Sequence, residues 1–382
     1  MRYVTAGESH GKALVTIVSD VPAGIPIDST MIDRDLARRQ VGYGRGGRMR
    51  IETDRALIVS GVRFGKTIGS PVALSISNRD WDNWLDVMAV SGPRPADAER
   101  VTSPRPGHAD LAGCQKTGSD DVRDILERAS ARETAARVGA GAIARALLSA
   151  LGVEVMSYVE SIGAVSCVAD PESVSARSVE SSDVRCPDAM VSQAMRAAID
   201  AASSAGESLG GVCVVRVTGL VPGLGEYAEA RQRLDARLGG ALLSIPAIKG
   251  VEFGDGFAVA GRPGSQVHDA IVYEPGVGIT RATNHAGGVE GGMSNGQPLI
   301  ARVAMKPIPT LMRPLASVDI DTLESVDAAK ERSDVCAVPA AGVVAEAEVA
   351  LVLADAYMDK FGRDCLSDMS AALEAYRERI AR

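Results

Sequence analysis

Residues 340–361 read AAGVVAEAEVALVLADAYMDKF, and a glycine follows at Gly362. Ala, Val and Leu fill most of this stretch, so a helix formed by it would be apolar on most of its sides. Such a helix is typical of a protein interior, because a helix at the surface carries a polar face. The sequence therefore predicts a buried helix over 340–361 that ends at Gly362.

The first strands are predicted as a meander near the N-terminus. Residues 13–20 have the pattern of a strand, and residues 28–40 that of a short helix. Arg50–Thr53, Ala56–Val62 and Val72–Ser77 then alternate and carry β-branched residues. A meander, rather than regular β-α-β alternation, favours an α+β fold with antiparallel sheets over a doubly wound parallel fold.

The remaining stretches are predicted as loop (91–118), long helix (120–151), linker (165–190), helix (189–204), strand (Val212–Thr218), helix (228–243) and glycine-rich polar segment (261–298). The sequence has no fixed-period repeat and no charged, disordered linker. We therefore expect a single domain over residues 1–382.

Composition indicates a globular protein. Apolar residues make up 46% and charged residues 24% of the 382 positions, and the net charge of −8 argues against a general nucleic-acid or membrane-surface binder. The N-terminus lacks the apolar segment of a signal peptide, and no uncharged apolar run reaches membrane-spanning length. None of the six cysteines has C-x-x-C spacing, which favours reduced thiols and a cytoplasmic protein.

The segment Arg38–Arg50 holds five arginines and no acidic residue. Its glycines let the backbone approach a ligand closely, and guanidinium groups match phosphate and carboxylate oxygens. The pattern therefore favours an anion site. A solvated loop or an RNA-binding Arg-Gly patch is the alternative, although the acidic net charge disfavours nucleic acid.

Two histidines lie in polar glycine loops, His10 within Gly7–Gly11 and His108 within Pro104–Asp110. An imidazole, with an ordinary pKa of about 6.5, can donate a proton to a leaving group near neutral pH. A loop histidine can equally be a solvated side chain. No spacing typical of a metal site is present, so we expect no metal.

Four further segments have both a functional and a structural interpretation. Small residues at 129–131 in Leu126–Glu133 would let a flat ring or a second helix pack closely. Gly287–Gly296 could bind an anion or cofactor edge, or simply form a loop. Lys306–Thr310 is stiffened by two prolines and could brace a ring or end a strand. Arg332–Asp334 could bind an anion and supply a base, or cap the helix that follows.

Together these segments resemble the chorismate synthase family. The segments Thr5–Gly11, Arg38–Arg50, Pro104–Asp110, Arg128–Glu133, Gly287–Gly296, Lys306–Thr310 and Arg332–Asp334 occur in the family's order, from residue 1 to about 362, with a variable part near 165–205. The resemblance implies a β-α-β sandwich with helices between antiparallel sheets, assembled as a homotetramer. It also implies a lyase of aromatic amino-acid biosynthesis that converts 5-enolpyruvylshikimate 3-phosphate to chorismate and phosphate by anti 1,4-elimination, in the last step of the shikimate pathway. Reduced FMN would be bound but not consumed.

The resemblance assigns roles position by position. His10 would protonate the departing phosphate, His108 would stabilise the reduced flavin near its N1, and Asp334 would relay the proton through N5. Substrate binding is implied for Ser9, Arg39, Arg45, Arg48, Arg105, Arg132, Arg332 and Ser333. FMN binding is implied for Arg128, Ala129, Ser130, Pro246, Ala247, Gly291, Lys306, Pro307, Ile308, Pro309, Thr310 and Arg332.

Four positions depart from the family pattern. Ala129 stands where many relatives have Ser, Pro246 where they often have Asn or Gln, Ser103 where His is common, and Ser294 where Thr is common. The first two departures remove side-chain hydrogen bonds to the flavin or its surroundings.

The reductant and two competing functions complete the predictions. No flavin-reductase segment is visible, so we expect an external reductase, with NADPH as a reductant through Arg39 and Arg45. A flavin oxidoreductase would instead oxidise a nicotinamide stoichiometrically, and an RNA-binding protein would show salt-sensitive RNA affinity.

Overall fold

The computed structural model of the chain describes residues 1–46, 52–95, 98–330 and 334–381. The strands in these ranges are β1 (Arg2–Ala6), β2 (Ala13–Ser19), β3 (Ala56–Ser60), β4 (Val62–Arg63), β5 (Lys66–Thr67), β6 (Val72–Ser77), β7 (Glu154–Ile162), β8 (Val165–Ser166), β9 (Gly211–Thr218), β10 (Ile248–Phe253), β11 (Ile271–Glu274), β12 (Gly278–Arg281), β13 (Val289–Glu290), β14 (Met293–Ser294), β15 (Leu299–Met305), β16 (Ala316–Val318) and β17 (Ser325–Asp327). The helices are α1 (Ser29–Gln40), α2 (Asp110–Thr117), α3 (Arg123–Ala129), α4 (Thr134–Ala150), α5 (Ala176–Glu180), α6 (Ala189–Ala205), α7 (Leu234–Leu243), α8 (Val338–Phe361) and α9 (Leu366–Ile380).

Two antiparallel sheets form the outer layers of the fold. The N-terminal sheet has the strand order β1–β2–β6–β3, and the second sheet has the order β10–β15–β9–β7–β8. Neighbouring strands run antiparallel throughout both sheets. The other strands pair as short hairpins. The α+β class predicted from the N-terminal meander is therefore confirmed.

Helices α4 and α8 lie between the two sheets. The hydroxyl of Thr16 in β2 donates to the carbonyl of Ala136 in α4 at 2.9 Å. A Cβ built on Gly141 of α4 would lie 2.3 Å from the Cβ of Ala347 in α8. On the opposite side of α8, a Cβ built on Gly342 would lie 2.9 Å from Ser157 Oγ in β7. These close approaches confirm the β-α-β sandwich and the buried final helix.

A buried carboxylate joins the central helix α8 to α1. Glu346 accepts from Arg38 at 2.7 Å, from Arg145 at 2.8 Å and from Arg185 at 3.2 Å. Burial would raise the pKa of Glu346, but the charges of Arg145 and Arg38 outweigh it and lower the pKa to about 2. Because Arg38 precedes Arg39, this network also fixes the C-terminal turn of α1 that carries Arg39.

The predicted long helix over 120–151 is wrong, because it is interrupted at Ser130. Helix α3 ends at Ala129, Ser130 is extended with ψ 142°, and a 3₁₀ turn leads into α4. The Ser130 hydroxyl accepts from the backbone N–H of Arg132 at 3.3 Å and from the Ser9 hydroxyl at 3.1 Å. Such side-chain bonds compete with helical pairing of the backbone.

Other predicted boundaries also differ from the structure. The loop predicted over 91–118 contains α2, the linker predicted over 165–190 contains α5, and the helix predicted from 228 begins at Leu234 after a 3₁₀ turn. In each case the local composition is polar, and the short helix depends on its tertiary contacts.

The predicted strands near residue 50 also require correction. Residues 50 and 51 lie outside the described residues, and Glu52 and Thr53 are in no strand. Ala56–Val62 is divided at Gly61, which has φ +83° and where a Cβ would lie 2.5 Å from the Pro71 carbonyl oxygen. That close approach ends β3 at Ser60.

The contact between α4 and α8 leads to a stability prediction. Gly141→Ala should destabilise the protein by about 1–3 kcal/mol, because the new methyl group overlaps Ala347. Gly240→Ala is the matched control: this α7 position has no atom within 4 Å of the new Cβ, so the change should be neutral or stabilising. Thermal melting of the two variants beside wild type measures the difference. Equal melting temperatures for all three would contradict the tight helix contact.

Candidate active site

Three guanidinium groups converge near one carboxylate. Arg39 lies at the end of α1, Arg45 in the loop that follows, and Arg132 in the 3₁₀ turn before α4. Arg39 Nη2 donates to Asp54 Oδ2 at 3.0 Å, and Arg132 Nη1 donates to Asp54 Oδ1 at 2.5 Å. We call Arg39, Arg45, Arg132 and Asp54 the cationic cluster.

The cationic cluster is buried and has more positive than negative charge. Arg39 and Arg132 are 3% and 4% exposed. Burial, together with repulsion from Arg45 and Arg132, lowers the pKa of Arg39 to about 10, although Asp54 acts in the opposite direction. Burial acts to raise the pKa of Asp54, but Arg132 and Arg39 outweigh it and hold that pKa below its ordinary value.

Two donors of the cationic cluster remain available for a ligand. Arg39 Nε and Arg132 Nη2 are buried and have no hydrogen-bond partner among the residues that the structure describes, while Arg132 Nη2 lies 3.7 Å from Glu52 Oε2 as an ion pair. A buried donor without a partner costs free energy, so an anionic ligand that accepts from these groups would be favoured. The arrangement can therefore bind phosphate or carboxylate.

Asp334 lies against the arginine-rich loop. Arg45 Nη1 is 3.2 Å from Asp334 Oδ2, and the backbone N–H of Gly46 donates to Asp334 Oδ1 at 2.6 Å. The backbone N–H of Val335 donates to the Gly44 carbonyl at 2.8 Å. The structure thus brings Asp334 together with Arg45. Arg48, Arg332 and Ser333 lie outside the described residues, so their roles stay predictions.

The His10 loop is tied to α3. His10 Nδ1 lies 2.8 Å from Glu127 Oε1, and the His10 ring stacks on Trp84 with centroids 3.8 Å apart. Arg128 donates to the carbonyls of Thr5 and Gly7 at 2.9 and 3.1 Å. The predicted site residue Arg128 therefore holds the loop that carries His10.

Asn78 connects the His10 loop with the cationic cluster. Its Nδ2 donates to the Gly11 carbonyl at 2.6 Å, and its Oδ1 accepts from Arg132 Nε at 2.9 Å. Ser9 Oγ reaches Ser130 Oγ at 3.1 Å, next to Arg132 in the chain. The structure therefore brings Ser9, His10 and Arg132 together, as the motif order indicates.

A second group, which we call the His108 cluster, consists of Arg105, His108, Asp110, Lys306 and Thr310. Asp110 accepts from Arg105 Nε at 2.8 Å and is bonded to His108 Nδ1, while Arg105 Nη1 donates to Thr310 Oγ1 at 3.0 Å. Lys306 Nζ donates to the carbonyl of Gly107. Burial would raise the pKa of Asp110, but the bonds from His108 and Arg105 lower it to about 2.

Of the other predicted cofactor residues, Pro246 and Ala247 lie beside the His108 cluster, whereas Gly291 lies near the start of α7. Ala247 accepts from the backbone N–H of Lys306 at 3.0 Å, which places Pro246 and Ala247 beside Lys306–Thr310. Gly291 lies in the turn between β13 and β14, and the adjacent Gly292 accepts from Leu234 N at 2.8 Å. Helix α7 begins at Leu234, beside Gly292, and ends at Leu243, three residues before Pro246, so it connects the two places.

Helices α2 and α3 join the two clusters. Asp110 opens α2, and α3 carries Glu127 and Arg128. A Cβ built on Gly113 of α2 would lie 2.4 Å from Ile125 Cγ2 of α3, so the two helices are in direct contact. The orientation of His108 and that of His10 thus depend on one helix pair.

Several residues of the site have no signal in the sequence. Asp54, Asn78 and Trp84 each contact a predicted site residue, yet none belongs to a motif. Glu127, which contacts His10, lies in Leu126–Glu133 but carries no predicted role. Trp84 is one of two tryptophans in the chain, which is a weak signal. The isolated acids and Asn78 became visible through tertiary contacts.

Two searches of the described residues bear on other kinds of site. None of the helices in these ranges is both long and apolar enough to cross a membrane. Across the same ranges, no group of three or more His, Cys, Asp or Glu side chains is arranged to hold a metal ion.

Comparison with known proteins identifies the family. A family model described as chorismate synthase matches residues 1–358. The chain is 56% identical over 392 aligned positions to a chorismate synthase of Symbiobacterium thermophilum, with 100% of both chains covered. It is 52% identical to one of Chlorobaculum tepidum, over 99% of this chain and 98% of that protein. The chain belongs to the chorismate synthase family.

A solved crystal structure of a chorismate synthase agrees with this assignment. It superposes with a TM-score of 0.81 at 41% sequence identity, covering 100% of this chain and 98% of the other. The predicted family, fold class and chorismate-forming lyase are thereby confirmed. Because these relatives are chorismate synthases, the alternatives of a flavin oxidoreductase and an RNA-binding protein are not favoured.

The cationic cluster predicts binding of inorganic phosphate. Phosphate should raise the melting temperature of wild type in a saturable way, because binding to the folded state alone stabilises it. Arg132→Ala should weaken the apparent affinity by about 10–100-fold, the loss of one charge-assisted hydrogen bond. Arg302→Ala, which removes a partner of Glu160 in the second sheet, is the matched control.

Sodium chloride at equal ionic strength separates binding from a general salt effect. The melting temperature should rise with phosphate concentration and then level off for wild type and for Arg302→Ala. Identical phosphate curves for Arg132→Ala and wild type would show that the cationic cluster is not the anion site.

Proposed function

We propose that the chain converts 5-enolpyruvylshikimate 3-phosphate to chorismate and phosphate by an anti 1,4-elimination that depends on reduced FMN. The observation that carries this proposal is that Arg39 and Arg132 both pair with Asp54, with Arg45 close enough to lower the pKa of Arg39 and with the His10 loop joined to Arg132 through Asn78. The substrate carries one phosphate and two carboxylates, so its charge complements the excess of guanidinium groups.

Substrate binding is assigned to the cationic cluster and its neighbours. Arg39 Nε and Arg132 Nη2 are the buried groups that would donate hydrogen bonds to an oxyanion. Ser9, Arg45 and Arg105 are proposed as further substrate contacts, and so are Arg48, Arg332 and Ser333 outside the described residues. Exclusion of water from this buried site strengthens each of these interactions.

His10 is proposed as the proton donor to the departing phosphate. The contact of its Nδ1 with Glu127 and the connection of its loop through Asn78 to Arg132 support this role. A leaving phosphate held by guanidinium groups would therefore lie next to an imidazole. Proton donation at that point stabilises the negative charge that develops as the C–O bond breaks.

The residues around the His108 cluster fit an anionic, planar cofactor such as FMN. Prolines at 307 and 309 stiffen Lys306–Thr310, and Gly107 approaches it so closely that a Cβ there would lie 3.3 Å from Lys306 Nζ. We propose that Arg128, Ala129, Ser130, Pro246, Ala247, Gly291, Lys306, Pro307, Ile308, Pro309, Thr310 and Arg332 hold it. When bound, reduced FMN supplies transient electron donation to the elimination and is not consumed.

His108 and Asp334 are proposed to act beside the cofactor. Asp110 holds His108 through Nδ1, which supports a fixed imidazole that stabilises the reduced flavin near N1. Asp334 is proposed to pass on the proton that the substrate ring loses. Its contact with Arg45 keeps its carboxylate at the edge of the cationic cluster.

The supply of reduced flavin is proposed to be external. Arg39 is buried and bonded to Asp54, which favours a role in substrate binding over docking of a dinucleotide. An external reductase is therefore our proposal, with NADPH through Arg39 and Arg45 as the second candidate.

Assembly, location and domain organisation are also proposals. Val4, Ile17, Leu57 and Val59 are exposed on the outer face of the N-terminal sheet, which supports burial of that face in a homotetramer. Free cysteines, mostly buried, support a cytoplasmic location. One continuous core from Met1 to Leu373 supports a single domain.

Anaerobic phosphate release with and without reduced FMN tests the function directly. His10→Ala should lower turnover by about 10²–10⁴-fold, as expected for loss of a proton donor, and His108→Ala should lower it by about as much if that imidazole also donates a proton. His268→Ala, at an exposed position, is the control and should keep the wild-type rate. Near-wild-type turnover in both active-site variants would refute their roles. Stoichiometric consumption of reductant would support the oxidoreductase instead.

A further inference from the structure

Glu127 holds both the backbone and the ring of His10. Its Oε2 accepts from the His10 backbone N–H at 2.8 Å, and its Oε1 lies 2.8 Å from His10 Nδ1. The Glu127 carbonyl also accepts from the backbone N–H of Ser9 at 2.9 Å. With its side chain 1% exposed, this carboxylate lies in a fixed, dry position against the imidazole.

Trp84 and Arg123 restrain the pair formed by Glu127 and His10. Trp84 stacks on the His10 ring at 21° between planes, and its indole N–H donates to Asp80 at 3.0 Å. Arg123 donates to Glu127 Oε1 at 3.3 Å, and its guanidinium carbon lies 5.2 Å from the Trp84 ring centroid. The imidazole therefore has one face covered and one nitrogen engaged.

We propose that Glu127 is a positioning residue that fixes the Nδ1–H tautomer of His10 and thereby makes Nε2 the nitrogen that donates the proton. This inference rests on the proposed role of His10. It concerns a residue to which neither the segment Leu126–Glu133 nor the family resemblance assigns a role.

The chemistry follows from the two oxygens of one carboxylate. Burial acts to raise the pKa of Glu127, but the bond from His10 outweighs it and the pKa is lowered, so the group is ionised and can only accept hydrogen bonds. His10 must then carry a proton on Nδ1 in both its charged and its neutral forms. As the C–O bond breaks, its electron pair leaves with the phosphate oxygen, which takes the proton from Nε2. The product is the neutral Nδ1–H tautomer.

Glu127→Gln tests the proposal, because a carboxamide accepts hydrogen bonds through one terminal atom only, whereas a carboxylate accepts through both. If the amide oxygen keeps the His10 backbone bond, the NH₂ group faces Nδ1 and favours the Nε2–H tautomer. Glu348→Gln is the matched control. Glu348 is also buried and bonded, to Tyr3 at 2.6 Å and Arg137 at 3.0 Å, at a place that does not contact His10.

Solid-state ¹⁵N NMR of histidine-labelled protein reads the tautomer without substrate or flavin. The chain has four histidines, and His10→Ala identifies the His10 signals by difference. At a pH where the ring is neutral, wild type and Glu348→Gln should show Nδ1–H, and Glu127→Gln should shift toward Nε2–H. An unchanged His10 spectrum in Glu127→Gln would overturn the proposal.

A double-mutant cycle in the phosphate-release assay tests the link to turnover. Glu127→Gln should lower kcat by about 10–100-fold, the usual cost of losing a partner that orients an imidazole, and leave KM unchanged. The double variant with His10→Ala should be no slower than His10→Ala alone, because Glu127 acts through that ring. If Glu127 had only a structural role, the loss of kcat in the double variant would equal the product of the losses in the two single variants.

The outcomes separate this inference from the proposed function. If His10→Ala is slow but Glu127→Gln keeps its kcat, or the double variant loses the product of both factors, Glu127 is not a positioning residue and the role of His10 stands. If His10→Ala turns over at the wild-type rate, both proposals are overturned.

Discussion

The placement of Asp54 between Arg39 and Arg132 is the constraint on which the site depends. Removing several guanidinium groups from water is costly, and Asp54 compensates part of that cost together with Glu52, 3.7 Å from Arg132, and Asp334 on Arg45. Burial, and after it repulsion from Arg45 and Arg132, lowers the pKa of Arg39 to about 10. A fold that keeps such a cluster must hold it by other contacts. We propose that a trianionic ligand supplies further negative charge when it binds.

Those other contacts lie in the central helical layer. Glu346 of α8 binds Arg38 and so fixes the last turn of α1, one residue before Arg39. Gly141 brings α4 onto α8, which fixes the start of α4 and the turn that carries Arg132. Stability and function are therefore linked physically: the buried helices stabilise the chain and also hold two like charges near each other.

Sequence patterns predicted the elements whose signal is local. The helix over 340–361 is apolar on most sides, and it starts at Val338 and ends at Phe361 as expected within two residues. Residues 72–77 alternate and form β6 with the predicted bounds. The break at Ser130 was missed, because it depends on a contact with Ser9 that is 121 residues away. Strand β10 was not predicted, since it depends on non-local pairing with β15. The end of β15 at Met305 agrees with the structural interpretation of Lys306–Thr310.

The residues of the site also differ in how visible they are in the sequence, because some are clustered along the chain and others are isolated. The density of arginines after residue 38 is visible in an acidic chain, and so are histidines between glycines. Asp54 and Glu127 are single acids among 49 Asp and Glu residues, so nothing in their spacing distinguishes them. Yet each decides the state of a predicted residue, Asp54 by pairing two guanidiniums and Glu127 by engaging one imidazole nitrogen. Sequence motifs thus indicate the groups that meet the ligand, whereas the residues that set their charge and tautomer emerge only when the chain is folded.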